Sequence, residues 1–206
     1  MMKLSDRATE FQSIVCKGLF TTKTGTHYEA DEGITEALAL LKKAHVAGGH
    51  VYIIGNGGSA AVASHIANDF CNVGKLRAST FNEPSLMTCF ANDYGYEHVF
   101  SARLATIATS EDLLIAISSS GNSENILRAV DCMDDVGGQT ITFSGFGNGN
   151  KLRSTGVLNY WLDAEDYGLV EVAHLFVLHF LSDMIARTWD VKTGLPYSSD
   201  ALETKR

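Results

Sequence analysis

Proline and basic residues are both scarce in this chain, and each shortage excludes something. The 206 residues include 2 prolines and no low-complexity tract, so we predict a single domain without a linker or repeat array. Lys and Arg number 16 against 24 Asp and Glu, for a formal net charge of -8. Nucleic-acid-binding proteins usually carry a basic stripe, so we expect no nucleic acid partner. An acidic protein can still bind an anionic small molecule through backbone amides.

Cysteines are few, and none forms a C-x-x-C pair. The 4 cysteines are spaced like neither a zinc ribbon nor a disulfide framework, so we expect reduced, mostly packing thiols. The opening "MMKLSDRATE" lacks the apolar centre of a signal peptide. We find no stretch that approaches the ~18 apolar residues of a membrane span. These absences predict a cytoplasmic protein with no membrane partner.

Short apolar runs alternate with helical periodicity through most of the chain. We predict buried strands at "HVYIIG", "SLMTCFA", "DLLIAIS", "QTITFSG" and "VLNYWL". Helical spacing fills the gaps between them and continues in a long helix from about residue 169 to 187. This alternation predicts right-handed β-α-β units, and therefore a parallel sheet with helices on both faces.

Two further helices are predicted before the first strand, one over residues 3–20 and one after an N-cap at Asp31. They lie outside the strand–helix alternation, so they could pack across the sheet or form an oligomer interface. We divide the chain into an N-terminal helical arm (1–30), an α/β domain (31–190) and a C-terminal tail (191–206).

The segment "GNGGSA", from Gly55 to Ala60, follows the first predicted strand and fits the dinucleotide-binding pattern G-x-G-x-x-A. A dinucleotide site also needs an acidic residue about 20 positions further on, to hold the ribose hydroxyls. This chain has Lys75 and Arg77 in that region. Basic residues could suit a 2′-phosphate, so the hypothesis is weakened rather than eliminated, and we expect no nucleotide cofactor.

A second loop between a strand and a helix carries Ser118, Ser119, Ser120 and Ser123 in "SSSGNS". Hydroxyl and backbone N–H donors near a helix N-terminus suit a phosphate monoester. A serine N-cap alone would need only one of these hydroxyls. Because ligands of open parallel sheets bind beyond the carboxyl ends of strands, we expect this loop, "GNGGS" and Asn92–Asp93 to share one crevice.

Two helices carry ionisable residues at suggestive spacings. His65 and Asp69 are four residues apart, and Glu171 and His179 share a broad face of the last helix. Histidine and carboxylate could transfer protons, or all four could bind zinc, and the two roles are compatible. Structural roles, such as a surface pair or a core histidine, remain open at this stage. Asp69 is ~15 Å along its helix from Ser59, so we expect a site assembled across a homo-oligomer interface.

Four segments together resemble the sugar isomerase (SIS) domain family, and within it the phosphoheptose isomerases. They are "VYIIGNGGSAAVASHIANDF", "ANDYGYEHVFSARL", "LLIAISSSGNSENILRAV" and "EVAHLFVLHFL". The resemblance implies a three-layer α/β/α sandwich with a five-stranded parallel sheet, flavodoxin-like and doubly wound, with N-terminal helices. It also implies a homotetramer with sites at subunit interfaces, and isomerisation of sedoheptulose 7-phosphate to a heptose 7-phosphate for surface-polysaccharide heptose synthesis.

The resemblance also implies roles for individual residues. The serines of "SSSGNS" would hold the phosphate, Asp69 and His179 would be catalytic, and zinc would be bound once per subunit by His65, Asp69, Glu171 and His179. The residues that would line the substrate pocket are Asn56, Gly57, Gly58, Ser59, Asn92, Asp93 and Glu171.

Three positions depart from the family pattern. The family usually has Glu at position 69, Gln at 171 and an arginine where this chain has Leu169. A carboxylate that reaches ~1 Å less far can lower a rate ~100-fold. A variant sugar phosphate is therefore one alternative, as is an isomerase of hexose or pentose phosphates. The main alternative is a non-catalytic SIS module that binds a phosphosugar or a protein, as a replication-initiation regulator does.

Overall fold

The computed structural model describes residues 3–189. Seven strands form one sheet in the order β2-β1-β7-β6-β5-β3-β4. The strands are β1 (Leu19–Thr21), β2 (His27–Tyr28), β3 (Val51–Gly55), β4 (Ala78–Ser79), β5 (Leu113–Ser118), β6 (Gln139–Ser144) and β7 (Leu158–Trp161). The α-helices are α1 (Leu4–Cys16), α2 (Ala30–Val46), α3 (Gly58–Asn72), α4 (Pro84–Tyr94), α5 (Ser101–Ile107), α6 (Glu124–Asp135) and α7 (Tyr167–Thr188).

The predicted parallel α/β sandwich is confirmed, because β4, β3, β5, β6 and β7 pair in parallel. Alternate residues of β3 and β5 enter different cores. Ile53 and Ile115 pack against the face covered by α2, α3 and α7. Ile54 and Leu114 pack against the opposite face, with residues of α5 and α6. All the residues of both strands are buried, which explains their continuous apolar runs.

One predicted strand is wrong, because "SLMTCFA" belongs to α4. The Glu83 side chain caps this helix by accepting hydrogen bonds from the backbone N–H groups of Ser85 (3.1 Å) and Leu86 (2.7 Å). Pro84 occupies the first turn, where proline needs no hydrogen-bond partner for its nitrogen. The fifth parallel strand is instead β4, which lies before Pro84 and has two residues.

The first 30 residues are not entirely helical, since β1 and β2 form a hairpin that extends the sheet. β1 is antiparallel to β7, with Phe20 paired with Tyr160. A Cβ at Gly18 would lie 2.3 Å from the Tyr160 hydroxyl, so glycine allows the chain to pass there. The next helix, α2, begins at Ala30 with a capping box between Glu29 and Glu32, rather than with the predicted Asp31 cap. The predicted C-terminal tail lies outside the described residues.

Helix α7 corrects our expectation that no segment could span a membrane. Its 22 residues are long and apolar enough by composition, with a mean hydropathy of 1.6 over the best window. Half of that window is buried inside the fold. Leu178, Leu181 and Ile185 of this helix belong to the core beneath the sheet. The apolar character of α7 therefore has an explanation within the fold.

His174 is the fully buried histidine of α7. Its Nε2 lies 3.2 Å from the Ser144 carbonyl oxygen, while its Nδ1 is buried without a hydrogen-bond partner. Burial lowers the pKa of His174 from 6.5 to about 4, because the charged ring would lose its hydration; the hydrogen bond to Ser144 opposes this in part. His174 is therefore a neutral core residue.

The His174→Gln variant tests this assignment. The pKa of His174 is lower in the folded protein than in the unfolded chain. The contribution of the neutral His174 ring to stability is therefore complete above pH 6.5 and is lost as the pH falls to about 4. We therefore expect the free energy of unfolding, measured with urea, to fall more in the wild type than in the variant as the pH is lowered from 6.5 to about 4. The difference should reach about 3 kcal/mol. Gln keeps a donor for Ser144 but does not titrate. As a control, His27→Gln replaces an exposed histidine and should leave the pH dependence of stability as in the wild type. The prediction is contradicted if His174→Gln and the wild type show the same pH dependence.

Candidate active site

Helices α3 and α7 pack side by side in parallel, and three contacts define their alignment. A Cβ at Gly58 would lie 2.1 Å from the Glu171 carboxylate. About two helical turns further along, His65 lies next to His179. At the far end, a Cβ at Gly74 would lie 3.4 Å from the Ile185 side chain. Each group on α7 therefore has a fixed neighbour on α3.

His65, Asp69 and His179 form a compact cluster within one chain. The two Nε2 atoms of the histidines are 2.7 Å apart. Asp69 Oδ2 lies 3.4 Å from His65 Nε2 and 3.2 Å from His179 Nε2. The side chains of the histidines are about half exposed, at 51% and 45%, and that of Asp69 is 22% exposed. Solvent and ligands can therefore reach the cluster from one side.

The cluster has the donor set of a zinc site, and two of its three ligand-atom separations fit one, whereas the 2.7 Å between the two Nε2 atoms is shorter than two zinc ligands require. Asp69 Oδ2 is buried beside the two rings and accepts no hydrogen bond. Ligand atoms about 2.1 Å from a tetrahedral zinc ion lie about 3.3 Å apart, close to the separations of Oδ2 from the two rings. Imidazole and carboxylate are ligands that zinc prefers. These three residues could therefore hold the ion.

Glu171 lies apart from the other three predicted zinc ligands. It precedes His179 by eight residues, which is about 12 Å along the helix axis. The three remaining residues place one ligand atom each within 4.8 Å of one another, and Glu171 is not among them. Its carboxylate lies against Gly58 instead. Within one chain, therefore, Glu171 lies beside the two loops that are predicted to bind phosphate, and apart from the other three predicted ligands.

The two loops predicted to bind a sugar phosphate meet at the carboxyl ends of β3 and β5. Together they line a cavity of about 250 Å³. Ser118 donates a hydrogen bond to Ser123 across the loop (3.2 Å), and the Ser119 hydroxyl is buried without a partner. The lining residues are Asn56, Gly57, Gly58, Ser59, Ile117, Ser118, Ser119, Ser120, Ser123, Tyr167 and Glu171.

Two glycines give these loops their conformation. Gly57 precedes α3 with φ +55°, and Gly121 turns the serine loop with φ +66°. A Cβ at Gly121 would lie 2.0 Å from Asn150 Oδ1, so this position also lacks space for a side chain. The backbone amides at the N-terminus of α3 therefore border the same cavity as the serine hydroxyls.

The structure does not bring Asn92 and Asp93 into this cavity. Both are exposed at the end of α4, where Asn92 Nδ2 donates to Asp93 Oδ1 (2.9 Å). We placed them at the carboxyl end of a strand, and the helical fold of this segment removes that reason. Leu169, in the position of the family's arginine, is buried in the core.

Sequence reasoning missed Asn125 and Tyr96. Asn125 exchanges two hydrogen bonds of 2.9 Å with Asn56, and the Tyr96 hydroxyl donates to Asn56 Oδ1 (3.1 Å). Both residues stand inside segments that we quoted for the family resemblance. The sequence offered one signal for Asn125, which is a polar residue at a position of the first turn of α6 that is buried against the sheet.

Comparisons with known proteins agree with this geometry. The SIS domain family model matches residues 21–145. A phosphoheptose isomerase of Helicobacter pylori strain P12 is 35% identical over 145 residues, which cover 68% of this chain and 75% of that protein.

Two solved structures extend the likeness to the fold. A phosphoheptose isomerase from Neisseria gonorrhoeae is 27% identical with a TM-score of 0.72, covering 89% of this chain and 99% of the other. A phosphoheptose isomerase from Francisella tularensis has the same fold, with a TM-score of 0.75 at 23% identity over 91% of this chain and 100% of the other.

The separation of Glu171 from the cluster predicts unequal effects on zinc affinity. We expect His179→Gln or Asp69→Asn to weaken zinc binding at least about tenfold, because each removes a ligand. Glu171→Gln should change it less than about threefold, since its carboxylate lies against Gly58. Competition with a chromophoric chelator measures all three. A loss of affinity in Glu171→Gln as large as in His179→Gln would contradict the three-residue site.

Proposed function

Since the chain belongs to the SIS domain family and, within it, to the phosphoheptose isomerases, we propose that it converts sedoheptulose 7-phosphate to D-glycero-D-manno-heptose 7-phosphate. The reaction is an aldose–ketose isomerisation, and its product would supply heptose for lipopolysaccharide synthesis in the cytoplasm. The observation that carries the proposal is the presence, in one chain, of a serine-lined anion cavity and a separate cluster of proton-transferring groups.

The serine cavity would bind the phosphate group. Its polar lining side chains are neutral hydroxyl and amide groups, apart from the Glu171 carboxylate. The unpaired Ser119 hydroxyl is available to a phosphate oxygen. Neutral hydroxyls and helix N-terminal amides can hold a dianion without a fixed cation. Such a cavity agrees with the negative net charge of the chain.

The reacting end of the sugar would then lie far from the cluster of the same chain. The level of Gly58 and Glu171 is about 12 Å from that of His179, measured along α7. An extended seven-carbon sugar places its carbonyl about 8 Å from the phosphorus, at the advance per bond typical of single bonds. We therefore infer that the phosphate cavity of one subunit works with the His65–Asp69–His179 cluster of another.

The surface of α7 supports this arrangement. Val172, Phe176 and Phe180 are 54%, 52% and 41% exposed and are spaced four residues apart, so they form one apolar stripe along the helix. Val172 follows Glu171 in the sequence, and Phe180 follows His179. A neighbouring subunit that covered the stripe would therefore lie close to both residues. Exposed apolar stripes of this kind mark association surfaces. A homotetramer would bury the stripe and complete the sites.

Asp69 and His179 would perform the proton transfers. We assign Asp69 as the base that removes the proton next to the carbonyl, giving a cis-enediol, and His179 as the acid that returns a proton to the neighbouring carbon or serves the oxygens. Asp69 Oδ2 faces the two imidazole rings, which leaves Oδ1 for the substrate. A zinc ion held by His65, Asp69 and His179 would polarise the carbonyl and hydroxyl oxygens.

The relatives favour this enzyme over a non-catalytic SIS module. Relatives that are 27–35% identical and match over 75–99% of their own length are named phosphoheptose isomerases. The chain also keeps a histidine–carboxylate cluster, which a binding module would not need.

The proposed reaction predicts deuterium incorporation. Purified protein incubated with sedoheptulose 7-phosphate in deuterated water should form the heptose phosphate and exchange the proton next to the carbonyl. Asp69→Asn should slow both by about 100-fold or more, because it removes the base. Mass spectrometry and NMR follow product and exchange. Intact wild-type protein that binds the sugar without turnover or exchange would instead indicate a binding module, and near-full activity of Asp69→Asn would contradict the base assignment.

A shared site predicts complementation between two inactive variants. Ser119→Ala/Ser123→Ala lacks the phosphate hydroxyls, and His179→Gln lacks the acid. When the two chains are co-expressed in equal amounts, random assembly should restore about one quarter of the sites, because one subunit supplies each half. Activity per subunit measures this fraction. If co-expressed variants remain as inactive as either alone, each site is formed within one chain.

A further inference from the structure

Asn56 and Asn125 form a reciprocal amide pair at the centre of the site. Asn56 Nδ2 donates to Asn125 Oδ1, and Asn125 Nδ2 donates to Asn56 Oδ1, both at 2.9 Å. Asn56 follows β3, and Asn125 lies in the first turn of α6, two residues after Ser123. The pair therefore connects the glycine-rich loop to the serine loop across two adjacent strands.

The two members of the pair differ in their access to a ligand. Asn125 is 3% exposed and does not line the serine cavity, although it borders a neighbouring pocket together with Asn56 and Tyr96. Asn56 is half-buried and lines the serine cavity. An effect of Asn125 on a ligand in the serine cavity would therefore pass through Asn56, which is hydrogen-bonded to Asn125 and lines that cavity.

The hydrogen-bonding capacity of Asn56 is almost entirely used. An amide oxygen has two lone pairs, and Oδ1 accepts from Asn125 and from the Tyr96 hydroxyl. An amide nitrogen carries two hydrogens, and Asn125 takes one. The group left for a ligand is the second N–H of Nδ2. Without these two partners the amide could rotate by 180° and present its oxygen, which would repel phosphate and sugar oxygens.

We propose that Asn125 is a positioning residue of this site, which fixes the side-chain amide of Asn56 so that an N–H faces the oxygens of the bound sugar phosphate. The inference rests on the proposed function only in placing the sugar phosphate in the serine cavity. Tyr96 assists from the other side through its hydroxyl. The pair also keeps the two loops at the spacing that the cavity requires.

A double-mutant cycle tests the proposal. Asn125→Leu should raise KM for sedoheptulose 7-phosphate, and Kd for inorganic phosphate, about tenfold with little change in kcat, because an oriented donor to a charged oxygen is lost. In an Asn56→Ala background the same substitution should change either constant less than about twofold. Tyr96→Phe should act in the same direction, by about threefold, and should also lose its effect in that background.

The matched control is Asn159→Leu, which replaces another buried asparagine, on β7, whose Nδ2 donates to Thr142 Oγ1 (2.7 Å). It should lower the free energy of unfolding while leaving KM and Kd within about twofold. Should Asn125→Leu not fold, Asn125→Ser and Tyr96→Phe complete the cycle. The proposal is overturned if Asn125 substitutions change KM and Kd by the same factor in the wild-type and Asn56→Ala backgrounds. It is also overturned if they change neither constant.

The two probes separate this inference from the proposed function. Inorganic phosphate reports on the cavity alone, and sedoheptulose 7-phosphate reports on the reaction. If the wild type binds phosphate with the predicted coupling but does not convert the sugar, the proposed function is wrong and the positioning role stands. If turnover is normal and the coupling is absent for both probes, the positioning role is wrong and the function stands.

Discussion

The close parallel packing of α3 and α7 determines where every ionisable group of the site can lie. The missing side chain of Gly58 leaves room for the Glu171 carboxylate, and the next contacts follow along both helices to Ile185. Because the helices are aligned over about four turns, a residue of one helix cannot change its neighbour without a shift of the whole pair.

This alignment divides the chemistry into two parts. The carboxylate of Glu171 borders the serine cavity, while Asp69, His65 and His179 form a cluster that lies about 12 Å further along the helices. The shorter side chain at position 69 still places Oδ2 3.2 Å from His179. The departure from the family's glutamate therefore preserves the contact with the histidine. A second subunit, with its own α7 stripe against this one, is the simplest way to unite the two parts.

Much of the fold follows from local sequence patterns, and the failures have physical causes. β3 and β5 are continuous apolar runs, and each is followed by a glycine-rich or serine-rich loop. The run indicates a buried strand and the loop marks where the strand ends, so both strands could be predicted. "SLMTCFA" has the same apolar content, but Glu83 and Pro84 favour a helix start more strongly than the run favours a strand. The hairpin of Leu19–Tyr28 depends on Phe20 packing against Tyr160, a contact between residues 140 positions apart that no local pattern contains.

The site was less predictable than the fold for a related reason. The residue types of the phosphate loops are visible in the sequence, whereas distances between helices are not. Glu171 and His179 project from similar angles around α7, which suggested a common site, but eight residues also separate them by about 12 Å along the axis. Asn125 shows the complementary limit. Its role depends on a partner 69 residues away, and only the parallel pairing of β3 with β5 brings the two amides together. In the proposed phosphate site, serine hydroxyls and backbone amides take the place of a fixed cation, and the orientation of the Asn56 amide decides whether a donor or an acceptor faces the cavity.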